Sequence, residues 1–285
     1  MIQTTTPLEK AKEGAADALE GAARSKWVVR LARFGYAAKG VVYVVVGVLA
    51  TLAALGSGER LEGTDGALRS IARQPYGEVL LGAVAVGLVG YVVWRVVQSL
   101  ADVDGKGSSW KGLAVRAGFL VSGLAYAGVA LSAARIVLHV RESGYDLKRS
   151  WSGQLMAVPY GRWVMALVGI GVVGFGLFQI YKGYKAKFWR RLKLGEMPDV
   201  QHPWALLSGR VGYAARGVVF CVVGVLLVQA ARHYDANEVV GLDGALQALT
   251  ERAFGPVILG AVAVGLVAYG VYMFVEARYR RIGKL

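Results

Sequence analysis

Six long apolar segments, separated by polar connections, dominate the pattern of this chain. They lie at residues 34–55, 77–97, 114–138, 162–181, 211–231 and 255–275. Each is close to the roughly 20 apolar residues that a helix needs to span a bilayer. The chain is 55% hydrophobic and only 18% charged, and its charges gather between the apolar segments. The pattern predicts an all-α polytopic membrane protein with six transmembrane helices.

The apolar segments form an internal repeat of two spans that occurs three times. Residues 33–43 read RFGYAAKGVVY, residues 210–220 read RVGYAARGVVF, and residues 116–126 give the fainter RAGFLVSGLAY. In the second span, residues 79–91 and 257–269 are identical at 11 of 13 positions, with 164–175 as the diverged middle version. Each unit holds an even number of spans, so the three units enter the membrane in the same direction. Parallel repeats of this kind are expected to close into a pseudo-three-fold bundle.

The repeats divide the chain into six segments. These are a polar cytoplasmic tail at 1–29, repeat 1 at 30–100, repeat 2 at 113–183, a basic cytoplasmic connection at 184–206, repeat 3 at 207–277 and a basic C-terminal tail at 278–285. The termini and the even-numbered connections carry 21 Lys and Arg residues, against 10 in the other connections. This bias predicts that both termini are cytoplasmic. The basic connection is expected to extend the fourth span as an interfacial helix.

Small and aromatic residues recur on one stripe of each span, at spacings that keep them on a single helix face. In a bilayer, close approach at small residues is what holds helices together, so the stripes are interpreted as packing surfaces. The residues assigned to helix packing are Tyr36, Gly40, Tyr43, Gly47, Gly87, Gly90, Gly123, Gly171, Gly174, Tyr213, Gly217, Gly224 and Gly265. Tryptophans near the span ends, Trp94 among them, are expected to form an aromatic belt.

Motifs of catalysis or cofactor binding are weak in this chain. Residues 169–174 satisfy G-x-G-x-x-G, but they lie inside a predicted span and not between a strand and a helix N-terminus. The three histidines fall in different connections, and the single Cys221 lies within the fifth span. The sequence therefore predicts no catalytic residues, no metal site and no cofactor, and the protein is expected not to be an enzyme.

Two basic residues, Lys39 and Arg216, lie inside predicted spans. Ionisable groups within spans are functional hypotheses by default, although long side chains near a span end can snorkel to the interface. Snorkelling is the favoured interpretation. The alternative is a cytoplasmic basic collar around the pseudo-three-fold axis that holds an anionic lipid headgroup or attracts an anionic solute, formed by Arg33, Lys39, Arg116, Arg210 and Arg216. The formal net charge of +14 is interpreted as a topology signal, and nucleic acid is not an expected partner.

The repeated motifs also resemble a known family. The opening R-x-G-[YF]-x-x-[KRS]-G-x-x-[YF], with the glycine pattern of the second span, is similar to the bacterial membrane family called domain of unknown function 1206, over residues 30–276. The middle unit departs from the pattern at Ser122 and Leu167. The resemblance implies three two-helix repeats in a bacterial inner (plasma) membrane, and it implies no activity.

Two functions of different class follow as hypotheses. The preferred one is a non-enzymatic membrane module that binds lipid or another protein, with anionic headgroups on the cytoplasmic side as partners; it predicts a filled, dry axis. The alternative is a small channel or transporter that conducts an anionic or small solute along the pseudo-three-fold axis, which predicts a water-accessible path.

Overall fold

The structure, a computed structural model, describes residues 21, 25–56, 63–140, 158, 160–233, 241–250 and 254–282. Its eight helices within these ranges are α1 (Lys26–Ala54), α2 (Thr64–Ala72), α3 (Gly77–Leu100), α4 (Trp110–Val137), α5 (Gly161–Tyr184), α6 (Gln201–His233), α7 (Leu242–Thr250) and α8 (Gly255–Tyr279). Two short 3-10 turns, Trp189–Arg191 and Leu194–Glu196, follow α5. Six of the helices, all but α2 and α7, are long and apolar enough to cross a membrane. The chain is thus an all-α, multi-pass membrane protein, as the hydropathy pattern predicts.

The six spans pack around a ring in the same cyclic order that they have in the chain, and over the described residues the ring is open between α4 and α5. The sequence of neighbours is α4, α3, α1, α8, α6 and α5. Contacts between neighbours run antiparallel: Gly40 of α1 meets Gly270 of α8, and Gly183 of α5 meets Arg210 of α6. The packing of α8 on α1 joins repeat 3 to repeat 1, which is the closure expected of three units arranged about one axis. The end of the bundle at which α1 begins and α8 ends is called the terminal end below.

Glycine also determines the closest contacts between spans of different repeats. A Cβ at Gly47 of α1 would lie 2.8 Å from the carbonyl oxygen of Ala263 of α8, and one at Gly224 of α6 would lie 2.6 Å from that of Gly169 of α5. These two contacts occupy the same positions in the repeat. The α4–α3 contact is looser, because Val92 stands where the other pairs have glycine, and a Cβ at Gly123 would lie 3.9 Å from its carbonyl oxygen.

The middle repeat departs from the other two in its internal contact. Helix α1 packs on α3 within repeat 1, and α6 packs on α8 within repeat 3, whereas α4 and α5 make no extensive contact over their described residues. Gly171 and Gly174 of α5, which the sequence assigns to a packing stripe, are exposed, and no atom of the described residues lies within 4 Å of the point that a Cβ would occupy on either. The expectation for these two glycines is therefore wrong, because the helix that would face them lies apart.

The second span of every repeat begins with the same local structure. An exposed aromatic residue in the left-handed conformation precedes a buried glycine, with φ of 59° at Tyr76, 70° at Tyr160 and 59° at Phe254. A Cβ on the glycine that follows would collide with the backbone of the preceding turn, at Ala72 for Gly77 and at Thr250 for Gly255. The repeat is thus preserved at the level of backbone conformation even where its sequence diverges.

The short helices α2 and α7 lie at the end of the bundle opposite the terminal end. Helix α2 packs on α1, α3 and α4, and α7 packs on α6 and α8. Asp65 is the second residue of α2 and Asp243 the second of α7, so each lies in the first turn, where a carboxylate complements the helix dipole. These helices bury Leu68 and Leu246 completely.

The connection between α5 and α6 folds across the terminal end and does not extend α5 as an interfacial helix. Its 3-10 turns bury Phe188, Leu192 and Met197 against the bundle. Leu192 pairs with Arg280 in an antiparallel bridge, and the amide of Lys193 donates to the carbonyl of Tyr279 at 2.8 Å. The apolar residues between the basic ones turn inward, which an interfacial helix would not allow. Helix α6 begins at Gln201, inside the predicted connection at 184–206, and α1 begins at Lys26, inside the predicted tail at 1–29.

A cationic cluster in the bundle interior

Aromatic rings fill the interior at positions that the three repeats share. In repeat order these positions hold Tyr36, Phe119 and Tyr213; Tyr43, Tyr126 and Phe220; and Tyr91, Phe175 and Tyr269. Rings from different repeats meet edge to face, with centroids 4.8 Å apart both for Tyr43 with Tyr269 and for Tyr91 with Tyr126. Such pairs stabilise a core beyond the area that they bury. The axis of the bundle is therefore occupied by interlocked rings whose hydroxyl groups point into a protein interior.

Lys39 lies among these rings and is only 2% exposed. Its Nζ is between 4.7 and 5.9 Å from the centroids of four tyrosine rings, with Tyr126 the nearest and Tyr43 the farthest. It donates a hydrogen bond of 3.2 Å to the hydroxyl of Tyr91. Because Lys39 is 13 residues into α1, it lies about 20 Å along the helix from the terminal end. Snorkelling to the interface, the favoured interpretation of the sequence, is wrong for this residue.

Arg216 occupies the position of Lys39 in repeat 3 and is also buried, at 8% exposure. Its Nε donates to the hydroxyl of Tyr43 at 3.0 Å, and its guanidinium carbon lies 4.8 Å from the Phe220 centroid and 5.1 Å from that of Tyr269. Neither Arg216 nor Lys39 has a carboxylate within ion-pair distance among the described residues. Aromatic faces attract cations, but they do not neutralise them.

Arg95 of α3 adds a third cation and connects the interior to the terminal end. Its guanidinium donates to the hydroxyl of Tyr91 through two nitrogens and to the side-chain oxygen of Gln98 at 3.1 Å. It also lies over the ring of Phe119, 5.3 Å from the centroid. Gln98 in turn donates to the half-buried carboxylate of Asp104 at 3.4 Å. Tyr91 is thus shared by Lys39 and Arg95.

Glu276 and Arg280 form a buried ion pair at the terminal end of α8. The Nη1 of Arg280 lies 3.0 Å from a carboxylate oxygen of Glu276, and the other carboxylate oxygen accepts from Tyr272 at 3.1 Å. The guanidinium carbon of Arg280 is 4.9 Å from the ring centroid of Tyr36. Burial acts to lower the pKa of Arg280, but the facing Tyr36 and Glu276 groups outweigh it and hold that pKa well above its ordinary value. Arg280 is therefore charged at every physiological pH.

One repeat position holds a different polar residue in each unit. Seven residues after the shared aromatic of the second span stand Gln98, Lys182 and Glu276. Lys182 donates a 2.7 Å hydrogen bond to the hydroxyl of Tyr213, and its Nζ lies 3.9 Å from that ring's centroid. The side chain at this position is thus an amide in repeat 1, an ammonium group in repeat 2 and a carboxylate in repeat 3. This variation makes the repeats chemically unequal at the terminal end.

The cationic cluster is defined as Lys39, Arg95, Lys182, Arg216 and Arg280. Against these five cations, Glu276 is the fully buried acid of the described interior, and Asp104 lies half-buried against Gln98 and 3.9 Å from Arg191. A charge without a partner is costly in a low-dielectric interior. Hydrogen-bond donors in the same region are also unpartnered among the described residues, at Tyr36 Oη, Trp94 Nε1, Gln179 Nε2 and Arg280 Nη2. An excess of cations and free donors is the chemistry that complements an oxyanion.

The predicted basic collar is only partly realised. Lys39 and Arg216 come together at Tyr43 and Tyr269, but Arg116 donates to the carbonyl oxygens of Ser99 at 2.7 Å and Leu100 at 3.0 Å, at the end of α3. Arg33 is half-buried with an unpartnered Nε, and Arg210 is exposed. Six residues separate Arg33 from Lys39 and Arg210 from Arg216, and on a helix of 3.6 residues per turn this spacing puts each pair on different faces.

Three cations of the cluster and the buried acid Glu276 lie outside the sequence-based assignment. Arg95, Lys182, Glu276 and Arg280 lie at the ends of predicted spans, where charged residues ordinarily reach the interface. Their spacing in the sequence could have indicated burial. Arg95 is four residues after Tyr91 and Glu276 is seven residues after Tyr269, so each lies on the same helix face as a shared aromatic residue. Trp94, assigned to an aromatic belt, is instead buried at 1% exposure.

Other potential chemistry is sparse in the described residues. No group of three His, Cys, Asp or Glu side chains there has the arrangement to hold a metal ion. Cys221 of α6 lies half-buried against α5, and its thiol faces the carbonyl oxygen of Val173 at 3.8 Å. A cavity of about 220 Å³ beside it is lined by apolar residues of α6 and α7. Cys221 and the cavity therefore contribute to helix packing, and no nucleophile with a neighbouring base is seen at either place among the described residues.

Comparison with known proteins repeats the three-unit organisation. The family model described as Domain of Unknown Function (DUF1206) matches residues 34–102, 117–186 and 211–280. A relative from Bacillus subtilis (strain 168), "Uncharacterized protein YxxB", is 35% identical over 256 residues, which is 90% of this chain and 92% of the relative. No solved structure matches the chain. The matched units coincide with the repeats found in the sequence, and the relative supports a bacterial origin.

Proposed function

Since this chain belongs to the Domain of Unknown Function (DUF1206) family, we propose a function from its own geometry: it is a non-enzymatic membrane module that binds an anionic group of the phosphate class in its cationic cluster. The observation that carries the proposal is the burial of Lys39 and Arg216 among shared tyrosine rings without a carboxylate partner among the described residues. A phosphate group supplies both the negative charge and the acceptor oxygens that these donors lack.

The source of the phosphate is either a lipid headgroup or a small solute. Both present the same oxyanion to Lys39, Arg216 and Arg95, so the first experiment tests the shared chemistry. The bias in Lys and Arg supports an orientation with both termini in the cytoplasm. In that orientation the terminal end has access to anionic headgroups of the inner leaflet. Inner-membrane location and this orientation are part of the proposal.

Binding is tested by thermal unfolding of the purified protein in neutral detergent. Inorganic phosphate and dihexanoyl phosphatidylglycerol are added separately, with dihexanoyl phosphatidylcholine as the zwitterionic comparison. At least one anionic ligand is expected to raise the unfolding midpoint, because a ligand that binds only the folded state stabilises it. In the double variant Lys39→Met/Arg216→Met, the apparent affinity is expected to fall at least tenfold.

The same variant provides an internal check that it is folded. Replacing buried, unpaired charges by apolar side chains of similar length is often neutral or stabilising in the absence of ligand. The midpoint without ligand should therefore be unchanged or higher. Lys111→Met is the matched control, because Lys111 is exposed at the start of α4 and its loss changes the net charge by the same sign. An anion response that survives in the double variant would overturn the proposal.

A second candidate function is transport of an anionic solute along the axis. It is favoured by the succession of cations in depth, from Arg280 at the end of α8 to Lys39 about 20 Å from the terminal end. The interlocked tyrosine rings between them favour binding over conduction. Uptake of radiolabelled phosphate into reconstituted vesicles separates the two functions, because a binding module gives no flux above protein-free vesicles, whereas a carrier gives flux that Lys39→Met reduces.

A further inference from the structure

The two outer repeats show what ordinarily covers one face of each span. In repeat 1, a Cβ at Gly35 of α1 would lie 2.5 Å from the backbone nitrogen of Tyr91 of α3. In repeat 3, a Cβ at Gly212 of α6 would lie 2.7 Å from the backbone nitrogen of Tyr269 of α8. The same face of α4 in repeat 2 carries Gly118, and no atom of the described part of the chain lies within 4 Å of the corresponding position. The first and second spans of the middle repeat are thus separated where their counterparts touch.

The separation leaves an apolar groove between α4 and α5, called the middle-repeat groove. Its floor is open at Gly118 on α4 and at Gly171 and Gly174 on α5. The same faces of the two helices carry exposed apolar side chains, such as Val121, three residues after Gly118, and Ile170, four residues before Gly174. A groove of this composition faces the hydrocarbon of the bilayer, because backbone groups there are satisfied within the helices.

Cations lie directly behind the aromatic residues of this groove. Phe175 of α5 is 41% exposed, and the guanidinium carbon of Arg216 is 5.9 Å from its ring centroid. On α4, Phe119 is 8% exposed, and the guanidinium carbon of Arg95 lies 5.3 Å from its ring centroid. One exposed ring thus separates the guanidinium of Arg216 from the groove, and Arg95 lies against the helix that forms the other side.

A buried, unpartnered donor lies on the same helix face. Gln179 is one turn after Phe175 on α5, is 3% exposed, and has no hydrogen-bond partner for its Nε2 among the described residues. The half-buried Lys182 follows three residues later, near the terminal end. Gln179 and Lys182 therefore place an amide donor and an ammonium group at the end of the groove where the headgroups of one leaflet lie.

From these observations we propose that the middle-repeat groove holds one acyl chain of an anionic phospholipid, whose phosphate enters the cationic cluster on the side of Gln179, Lys182 and Arg95. The inference rests on the proposed function and identifies the source of the anionic group. The dimensions agree: Gly171 and Lys182 are separated by about 16 Å along α5, and the hydrocarbon of one leaflet is about 15 Å thick. The lipid reaches the cations sideways, from the bilayer, through the opening that distinguishes the middle repeat.

Filling the groove tests the proposal without disturbing a packed contact. The variant Gly171→Leu/Gly174→Leu places side chains where, among residues 25–56, 63–140, 160–233, 241–250 and 254–282, no atom lies within 4 Å, so the fold is expected to persist. Gly118→Leu, on the opposite wall, is an independent second variant. The matched control is Gly82→Leu on α3, which is equally free of neighbours but lies outside the middle repeat.

The readout is native mass spectrometry of protein released from vesicles of equal phosphatidylglycerol and phosphatidylcholine content. The wild-type protein and Gly82→Leu are expected to retain phosphatidylglycerol preferentially. Both groove variants are expected to lower that preference at least tenfold, while the thermal response to inorganic phosphate, which has no acyl chain, is unchanged. This last measurement separates loss of the groove from loss of the cationic site.

Three results would overturn the inference. Equal retention of phosphatidylglycerol by the groove variants and Gly82→Leu would mean that the groove holds ordinary bilayer lipid only. Loss of a dimer in the groove variants, with lipid retention unchanged, would mean that a second copy of the chain covers the groove. In a third result, Lys39→Met/Arg216→Met loses the thermal response to inorganic phosphate, but the groove variants retain phosphatidylglycerol as the wild-type protein does. The proposed function would then be supported, and entry of the lipid through the middle-repeat groove would be refuted.

Discussion

Lys39 and Arg216 lie over the same two tyrosine rings, although they belong to different repeats. Their cationic centres are 5.9 and 5.8 Å from the ring centroid of Tyr43, and 5.4 and 5.1 Å from that of Tyr269. The two residues hold equivalent positions in repeats 1 and 3, so the repeat itself brings like charges together. The third equivalent position holds Ser122.

Adding a cation at Ser122 is expected to destabilise the protein. Ser122→Lys would place a further ammonium group beside Tyr91, to which Lys39 and Arg95 already donate, and like charges in a low-dielectric interior repel strongly. The unfolding midpoint of Ser122→Lys should lie below that of Ser122→Met, which adds similar bulk without charge. Phosphatidylglycerol should narrow the difference. A Ser122→Lys protein that is as stable as Ser122→Met would contradict the charge excess inferred for the interior.

The buried pair of Glu276 and Arg280 gives a prediction about stability. Arg280→Met leaves the Glu276 carboxylate without its cation and is expected to cost about 3–5 kcal/mol in the free energy of unfolding. The double variant Glu276→Gln/Arg280→Met removes both charges and should recover most of that loss. Chemical denaturation in mixed micelles measures both. Additive losses in the double variant would show that the pair is not coupled.

The contact between α1 and α8 gives a prediction about packing. A Cβ at Gly47 would lie 2.6 Å from a methyl carbon of Val267 and 2.7 Å from its backbone nitrogen, so Gly47→Ala must push the helices apart. Overpacking of this kind costs about 1–3 kcal/mol. Gly82→Ala, in open space on α3, is the control and should be neutral or slightly stabilising, since alanine favours a helix. Equal thermal midpoints for the two variants would refute the packing role of Gly47.

The connection across the terminal end gives a prediction about local order. Phe188 is fully buried, 5.3 Å from the ring centroid of Tyr213 and 4.9 Å from that of Tyr272. Phe188→Ala is expected to cost about 3–5 kcal/mol of packing and to release the connection from the bundle. Limited trypsin digestion should then cleave at Lys187, Arg190 or Arg191 much faster than in wild-type protein. Trp189→Ala, at a half-buried neighbour, should accelerate cleavage less.

The repeat and the spans were predictable because each rests on a periodic pattern. Two spans per unit, three units and the positions of Gly40, Gly47, Gly217 and Gly224 follow from spacing alone, and the structure places these four glycines against neighbouring backbone. The match of the family model to three segments agrees with that division. Local periodicity determines a helix face, and in a bilayer a small-residue face is where another helix approaches.

The interior cluster was less predictable, since burial depends on which helices become neighbours. The sequence favours snorkelling of Lys39 because it lies near one end of its apolar segment, but α1 begins eight residues before that segment, at Lys26, and places Lys39 deep in the bundle. The sequence assigns Gly171 and Gly174 of the middle repeat to a packing stripe, because glycines stand at the corresponding helix face. Those glycines permit a close contact, and they do not enforce one.

Because the six spans form a ring, the chain could in principle begin and end at a different place, between α4 and α5 instead of between α8 and α1. Followed from α5 through α6, α8, α1 and α3 to α4, every successive span packs on the one before it. The antiparallel contact of α8 with α1 brings the first residue of α1 and the last residue of α8 to the terminal end of the bundle. A circularly permuted gene would link the end of α8 to the start of α1 and begin the chain at α5. Each span of that protein would then pack on the span inserted immediately before it.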